Sequence, residues 1–146
     1  MGGAKKKRET AVAVRERQQA VNDARHSVLV VEDDRAVRRM LGFALGAAGF
    51  EVREATTGSE ALAALANEPT DAVLLDLTLP DGRGGEVLRH LQNAPPSTDK
   101  PRVWLTMSAL DPQEATARFG EMGPRFVEKP FDPWHVVRLI ESLLSR

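Results

Sequence analysis

The sequence of 146 residues contains no cysteine and no long apolar run. Without cysteine the chain can form neither disulfide bonds nor thiolate metal sites, which is typical of cytoplasmic proteins. No apolar stretch approaches the roughly 20 residues that a membrane-spanning helix needs. The basic beginning of the chain also lacks the apolar centre of a signal peptide. We therefore expect a cytoplasmic protein with no membrane partner.

Charge divides the chain into two parts. Residues 1–26 carry seven Lys and Arg against three Asp and Glu, whereas residues 27–146 carry thirteen against eighteen. The basic segment could contact nucleic acid or an acidic partner. However, four consecutive basic residues at 5–8 are a weak signal. We interpret residues 1–26 as a partly helical or disordered extension, with a helical pattern over 10–25, and do not expect nucleic acid as a partner.

From Ser27 onward, strand-like and helix-like patterns alternate. Short runs rich in apolar and β-branched residues predict five strands: 27–31, 51–55, 71–77, 102–107 and 125–128. Helical spacing, with Asp-Pro pairs that mark two helix starts, predicts five helices: 35–48, 58–68, 84–93, one from Pro112 and one from Pro133. This alternation predicts a doubly wound parallel sheet with helices on both faces, formed by a single domain over 27–146.

Asp76 raises a question, because it interrupts the apolar run of VLLDLTLPDG (73–82). Removing a lone carboxylate from water costs free energy unless it is paired, binds a metal or leaves the sheet at a strand end. Ligands of parallel α/β sheets bind at the carboxyl ends of the strands. Asp76 lies at such an end, so we expect it to project there as an exposed acid.

Other polar groups also follow predicted strands. Glu32, Asp33 and Asp34 come after the first strand, Ser108 ends the fourth with Thr106 close by, and Lys129 ends the fifth. Crowded carboxylates raise one another's pKa unless a cation intervenes. An all-oxygen ligand set favours Mg²⁺ (or Mn²⁺).

The expected metal ligands are Glu32 through water, Asp33 and Asp76 directly, and the backbone carbonyl of Thr78. A carboxylate such as Asp76 can attack phosphorus, and Lys129 would supply a compact positive charge on the other side.

These motifs together resemble the receiver domain of two-component response regulators. The resemblance rests on VLVVEDD, LLDLTLPDG, a strand-end Ser-Ala and FVEKPF, and it covers about residues 27–145. It implies a flavodoxin-like fold with five parallel strands in the order 2-1-3-4-5 and five helices. It also implies Mg²⁺-dependent transfer of a phosphoryl group from a sensor histidine kinase or a histidine phosphotransfer protein to Asp76.

The resemblance assigns further roles. Glu32 and Asp33 match the acidic pair, Lys129 matches the lysine, and Pro130 matches a proline that follows a cis bond in the family. Phe126 matches the aromatic switch position. Two hydroxyl groups compete for the other switch position: counting from Pro101 favours Thr106, and counting back from Lys129 favours Ser108. We prefer Ser108, because the small Ala109 leaves room beside it.

Two other classes of protein are alternatives. The stretch DLTLPDG loosely resembles the nucleophile loop of haloacid-dehalogenase-type phosphatases, but Thr78 stands where those enzymes place a second acid. A binding module that never accepts phosphate is the second alternative. The receiver interpretation is not that of an enzyme with a separate substrate, since the domain would catalyse only its own phosphorylation and dephosphorylation.

The sequence ends at Arg146, directly after the last predicted helix. We therefore expect a stand-alone receiver. Its signal would leave through a downstream protein of unknown identity, a homodimer, or relay to a histidine phosphotransfer protein.

Overall fold

The computed structural model describes residues 10–12, 25–93, 101 and 103–145. Most of the predicted extension, including most of the helix proposed for 10–25, lies outside these ranges. The described strands are β1 (Ser27–Val31), β2 (Glu51–Ala55), β3 (Ala72–Asp76), β4 (Val103–Ser108) and β5 (Phe126–Glu128). The α-helices are α1 (Arg35–Ala47), α2 (Gly58–Asn67), α3 (Gly84–Asn93), α4 (Pro112–Phe119) and α5 (Pro133–Leu144), and a 3₁₀ turn spans Gly123–Arg125.

The strands form a single parallel sheet in the order β2-β1-β3-β4-β5. This confirms the flavodoxin-like order and the five strands expected from the sequence. Strand bounds differ by one residue at several ends, and β4 extends to Ser108 rather than stopping at Met107. That extra residue matters, because it places the Ser108 side chain at the carboxyl edge of the sheet.

Helices cover the sheet on both faces, as the alternation predicts. Side chains along β1 point alternately to two apolar cores, with Val28 and Val30 in one and Leu29 and Val31 in the other. The first core includes apolar residues of α1 and α5, and the second includes apolar residues of α2, α3 and α4. A strand buried on both faces reads as a continuous apolar run, which explains SVLVV.

Side-chain caps fix where several helices begin. Asp111 Oδ1 accepts a hydrogen bond from the Glu114 amide at 3.0 Å, and Asp132 Oδ1 accepts one from the Trp134 amide at 2.9 Å. Each cap satisfies a backbone donor that the first helical turn leaves free. The two starts predicted from the Asp-Pro pairs are confirmed. None of the helices in the described ranges is both long enough and apolar enough to cross a bilayer.

The first residue of α3 touches the loop that follows β3. A Cβ atom added to Gly84 would collide with the backbone carbonyl group of Leu77. Only glycine therefore fits at this contact without a shift of the backbone. The contact fixes α3 directly against the segment that carries Asp76 and Thr78.

Candidate functional site

Three chain-distant segments bring charged side chains to the carboxyl edge of the sheet. Glu32 and Asp33 follow β1, Asp76 is the last residue of β3, and Lys129 follows β5. Carboxylate oxygens of Glu32, Asp33 and Asp76 all lie within 4.8 Å of one another. The predicted convergence at this edge is therefore observed, with these three acids at its centre.

Lys129 links two of the three acids. Its Nζ atom lies 2.7 Å from Glu32 Oε1 and 3.1 Å from Asp76 Oδ2, close enough to donate a hydrogen bond to each. The backbone amide of Lys129 also donates to the carbonyl oxygen of Ser108 at 2.8 Å. The strand pairing of β4 with β5 thus positions the lysine side chain over the acids.

Asp76 is only 3% exposed, which corrects the expectation of an exposed acid. Its Oδ1 atom accepts hydrogen bonds from the amide of Thr78 at 2.9 Å and from Thr78 Oγ1 at 3.1 Å. Its Oδ2 atom accepts the bond from Lys129. Polar groups rather than apolar neighbours therefore partner the carboxylate, and they account for its burial at the end of a strand.

Burial and mutual contact push the two buried acids in opposite directions. Burial, and then the neighbouring Asp76 carboxylate, raise the pKa of Glu32 to about 8. Burial alone would raise the pKa of Asp76, but the neighbouring Glu32 carboxyl group, the hydrogen bond from the Thr78 amide and the charge of Lys129 lower it below its ordinary value. For Lys129, burial is outweighed by the hydrogen bond to Glu32 and the charge of Asp76, so its pKa is raised. Near neutral pH these shifts favour charged forms of Asp76 and Lys129 and the protonated form of Glu32.

The donor set fits a hard divalent cation. Glu32 has no exposed surface, and its Oε2 atom has no hydrogen-bond partner within the described residues. A buried oxygen without a partner costs free energy, and a bound ion or its water would supply the missing interaction. The neighbouring Asp33 carboxylate is exposed and also available. Oxygen-only ligands at this spacing are suited to Mg²⁺.

The two candidate switch hydroxyls occupy different surroundings. Ser108 is the last residue of β4, beside the Asp76–Met107 pair, and its Oγ accepts a hydrogen bond from the Leu110 amide at 3.0 Å. Thr106 lies two residues earlier, and its Oγ1 donates to the carbonyl oxygen of Arg125 at 2.8 Å. Ser108 is therefore the hydroxyl at the edge of the site, while Thr106 is occupied in joining β4 to the start of β5.

The aromatic position and the lysine-proline bond lie next to these groups. Phe126 is the first residue of β5, pairs with Thr106 in the strand register and is half-buried. The Lys129–Pro130 peptide bond is cis, as the family resemblance implied. Both features are placed by the short β5 strand.

Two further acidic residues shape the site in ways that the sequence does not reveal. Asp34, grouped with the acidic pair by its position, caps α1 by accepting from the Val37 amide at 3.1 Å. Asp81, in the turn after β3, accepts from the amides of Gly58 and Ser59 at 3.1 and 3.0 Å. The hydrogen bond from the Ser59 amide, together with those from Gly58 and Arg83, outweighs the effect of desolvation and lowers the pKa of Asp81. The sequence gives no sign of this contact between Asp81 and α2.

Comparison with known proteins identifies the class to which this fold and site belong. The sequence matches the response regulator receiver domain over residues 28–141, and the chain belongs to this family. It is similar to the phosphate regulon transcriptional regulatory protein PhoB of Escherichia coli (strain K12), with 37% identity over 121 residues, covering 82% of this chain and 52% of PhoB. It is likewise similar to response regulator MprA of Mycobacterium sp. (strain KMS), with 37% identity over 120 residues, covering 82% of this chain and 50% of MprA.

A solved structure gives the same result. A putative response regulator from Chloroflexus aurantiacus J-10-fl matches with a TM-score of 0.71 and 32% identity, covering 84% of this chain and 99% of that one. The family match confirms the receiver prediction and leaves the phosphatase alternative without support.

The chain spans about half the length of the curated relatives it matches. PhoB is named as a transcriptional regulatory protein. The expectation that nucleic acid is not a partner therefore has no support from these relatives, and the stand-alone arrangement remains a prediction.

Proposed function

We propose that this protein is a phosphorylation switch, in which Asp76 accepts a phosphoryl group in the presence of Mg²⁺ and changes a protein-binding surface. The observation that carries the proposal is the placement of Asp76 beside both the acidic pair and the Lys129 ammonium group, which lies 3.1 Å from its Oδ2. A carboxylate kept charged in such surroundings can act as a nucleophile.

The donor we propose is a phosphohistidine of a sensor histidine kinase or a histidine phosphotransfer protein. A carboxylate oxygen of Asp76 would attack phosphorus and form a P–O bond, while the P–N bond breaks. The electron pair of that bond goes to the imidazole nitrogen, which takes up a proton. Lys129 would stabilise the charge on the phosphoryl oxygens during transfer.

The acids around Asp76 would hold the metal ion. Asp33 and Asp76 would bind Mg²⁺ (or Mn²⁺) directly, Glu32 through water, and the backbone carbonyl of Thr78 would complete the protein ligands. When bound, the ion supplies charge that offsets the repulsion between a carboxylate and an incoming phosphoryl group. Glu32 must release its proton before its carboxylate can attract the ion with a full negative charge.

The proposed switch uses Ser108 and Phe126. Phosphorylation adds about −2 charges and new acceptor oxygens at Asp76. The Ser108 hydroxyl would donate to one of them. The Thr106 hydroxyl would not, because it donates to the carbonyl oxygen of Arg125. Movement of Ser108 toward the phosphoryl group would leave space that the half-buried Phe126 ring can enter, and this would alter the surface formed by β4, β5 and α5.

We also propose a cellular compartment and an output for the domain. We propose that the domain acts in the cytoplasm and catalyses only its own phosphorylation and dephosphorylation. Its output would pass to a downstream protein, a homodimer or a phosphotransfer protein. The cysteine-free composition suits this compartment. The basic residues 1–26 would form an extension that precedes the domain over 27–146.

The test is labelling of the full chain by a small-molecule phosphodonor with Mg²⁺, followed by intact-mass measurement and peptide mapping. The wild type should gain one phosphoryl group, and Asp76→Asn should gain none. Asp81→Asn is the matched control, because it removes a neighbouring carboxylate in the same loop, while the asparagine keeps one side-chain oxygen that can accept from the first turn of α2. Equal labelling of wild type and Asp76→Asn, or no labelling and no Mg²⁺ binding by the wild type, would refute the proposal and favour an inert binding module.

A further inference from the structure

Arg38 of α1 contacts the main chain of both members of the acidic pair. Its Nη1 atom lies 3.1 Å from the carbonyl oxygen of Glu32 and 3.2 Å from that of Asp33, so each of its two N–H groups can donate to one carbonyl. The Nε atom lies 3.4 Å from Oε2 of Glu54 on β2. With only 17% of its side chain exposed, Arg38 is held between the end of β1 and the neighbouring strand.

Asp33 depends on this support more than the other acids do. Asp76 and Glu32 are held by hydrogen bonds to their carboxyl groups, whereas the exposed Asp33 carboxylate accepts no hydrogen bond from any described residue. Its position near the other two acids is therefore determined by its backbone. That backbone leads straight into α1, where the amide of Arg38 donates to the carbonyl oxygen of Asp34 at 2.9 Å.

We propose that Arg38 is a positioning residue for the divalent cation: it fixes the main chain of Glu32 and Asp33 so that their carboxylates converge with Asp76. The inference rests on the proposed function, since it concerns the same metal ion. Groups behind the metal ligands commonly orient them in this way. Here the orienting group acts on the backbone of the ligands rather than on their side chains.

The direction of the change in metal affinity after removal of Arg38 distinguishes a positioning role from an electrostatic one. A guanidinium group beside a cation site repels the cation, so electrostatics alone predicts that removing the charge of Arg38 tightens metal binding. Loss of positioning predicts the opposite, because two carboxylates would then have to be ordered when the metal binds. A weakened affinity after neutralisation of Arg38 can therefore come only from its structural contacts.

The experiment measures Mg²⁺ and Mn²⁺ binding by the unphosphorylated full chain, using calorimetry. We expect Arg38→Gln to weaken the Kd about tenfold, in the range found for groups that orient metal ligands. Arg39→Gln is the matched control, because Arg39 is the next residue of α1, is exposed and makes no ion pair within the described residues. It removes the same charge from the same helix and should leave the Kd within about twofold of the wild type.

A second variant keeps the inference testable if Arg38→Gln does not fold. Arg38→Lys retains the charge but not the planar fork that reaches two carbonyls and Glu54 together. It should also bind Mg²⁺ more weakly than the wild type, and unchanged binding would overturn the inference. Binding by Arg38→Gln as tight as that of the wild type, or an equal loss in Arg39→Gln, would do the same. Absence of metal binding by the wild type itself would instead refute the proposed function.

Discussion

The Nζ atom of Lys129 lies 2.7 Å from Oε1 of Glu32, a carboxyl group with no exposed surface, although 97 residues separate the two in the chain. The same ammonium group bonds the buried Asp76, so Lys129 is shared by two acids. Removing one member of such a group leaves buried polar atoms without partners, and this costs more than the loss of a surface ion pair.

We predict that Lys129→Met destabilises the metal-free protein by about 2 kcal/mol, because both acids then lose their cationic partner. Protonation of Glu32 limits the loss, so the effect should be greater at pH 8 than at pH 6. Urea unfolding at the two pH values measures it. Glu86→Gln is the control, since it breaks an exposed pair with Arg83 and should cost less than about 1 kcal/mol. Equal costs for the two variants would contradict the shared role of Lys129.

The pKa of Glu32 predicts how stability depends on pH. In the folded protein this pKa is about 8, compared with an ordinary value of 4.5. Between these pH values the folded state keeps a proton that the unfolded chain has released, so the free energy of unfolding falls as pH rises through this window. A single group changes it by at most about 1.4 kcal/mol per pH unit. The charged Asp76, whose pKa lies below the window, adds no slope there.

The test compares wild type with Glu32→Gln in the presence of a chelator. The wild type should lose stability between pH 6 and pH 8, whereas Glu32→Gln, which has no proton to release, should show a flatter profile. Added Mg²⁺ should restore wild-type stability most at pH 8, because the ion competes with the proton of Glu32. A wild-type profile parallel to that of Glu32→Gln would show that Glu32 does not titrate in this range.

Most of the fold and the central acids could be predicted from the sequence. Parallel strands that are buried on both faces produce continuous apolar runs, and polar residues at their carboxyl ends stand out against those runs. The burial of Asp76 was mispredicted, because it depends on Thr78 and Lys129, whose bonds to it are set by the folded loops. The contacts of Arg38 could not be predicted, since an arginine on an amphipathic helix carries no signal of the carbonyl groups that it will meet.

Removal of the Thr106 hydroxyl and removal of the Ser108 hydroxyl, both in β4, should have different effects on stability and on the response to a phosphoryl mimic. Thr106→Val removes the hydroxyl that donates to the carbonyl oxygen of Arg125, and valine supplies no other donor. The free energy of unfolding should therefore fall by about 1–2 kcal/mol. The substitution should leave the response to a phosphoryl mimic intact. Ser108→Ala removes the proposed hydrogen bond to the phosphoryl group. It should therefore reduce the stabilisation produced by beryllofluoride with Mg²⁺, at a smaller cost to the basal stability.

Thermal unfolding with and without beryllofluoride and Mg²⁺ measures both effects for each variant. The difference in Tm between the two conditions reports binding of the mimic, because a ligand that binds only the folded state raises Tm. Wild type and Thr106→Val should show the same difference. A reduced response in Thr106→Val with a normal response in Ser108→Ala would assign the switch role to Thr106 instead.

The contact between Gly84 and Leu77 predicts that no residue larger than glycine fits at position 84, the start of α3. A Cβ atom at Gly84 would overlap the Leu77 carbonyl group, so Gly84→Ala must push α3 away from the segment that holds Asp76 and Thr78. We expect a loss of about 3 kcal/mol, typical of overpacking against backbone, together with slower phosphorylation. Gly46→Ala, in α1 with open space around its Cβ position, should instead gain about 0.5–1 kcal/mol from helix propensity. Urea unfolding of both variants measures these changes, and a neutral Gly84→Ala would mean that α3 is free to move relative to this loop.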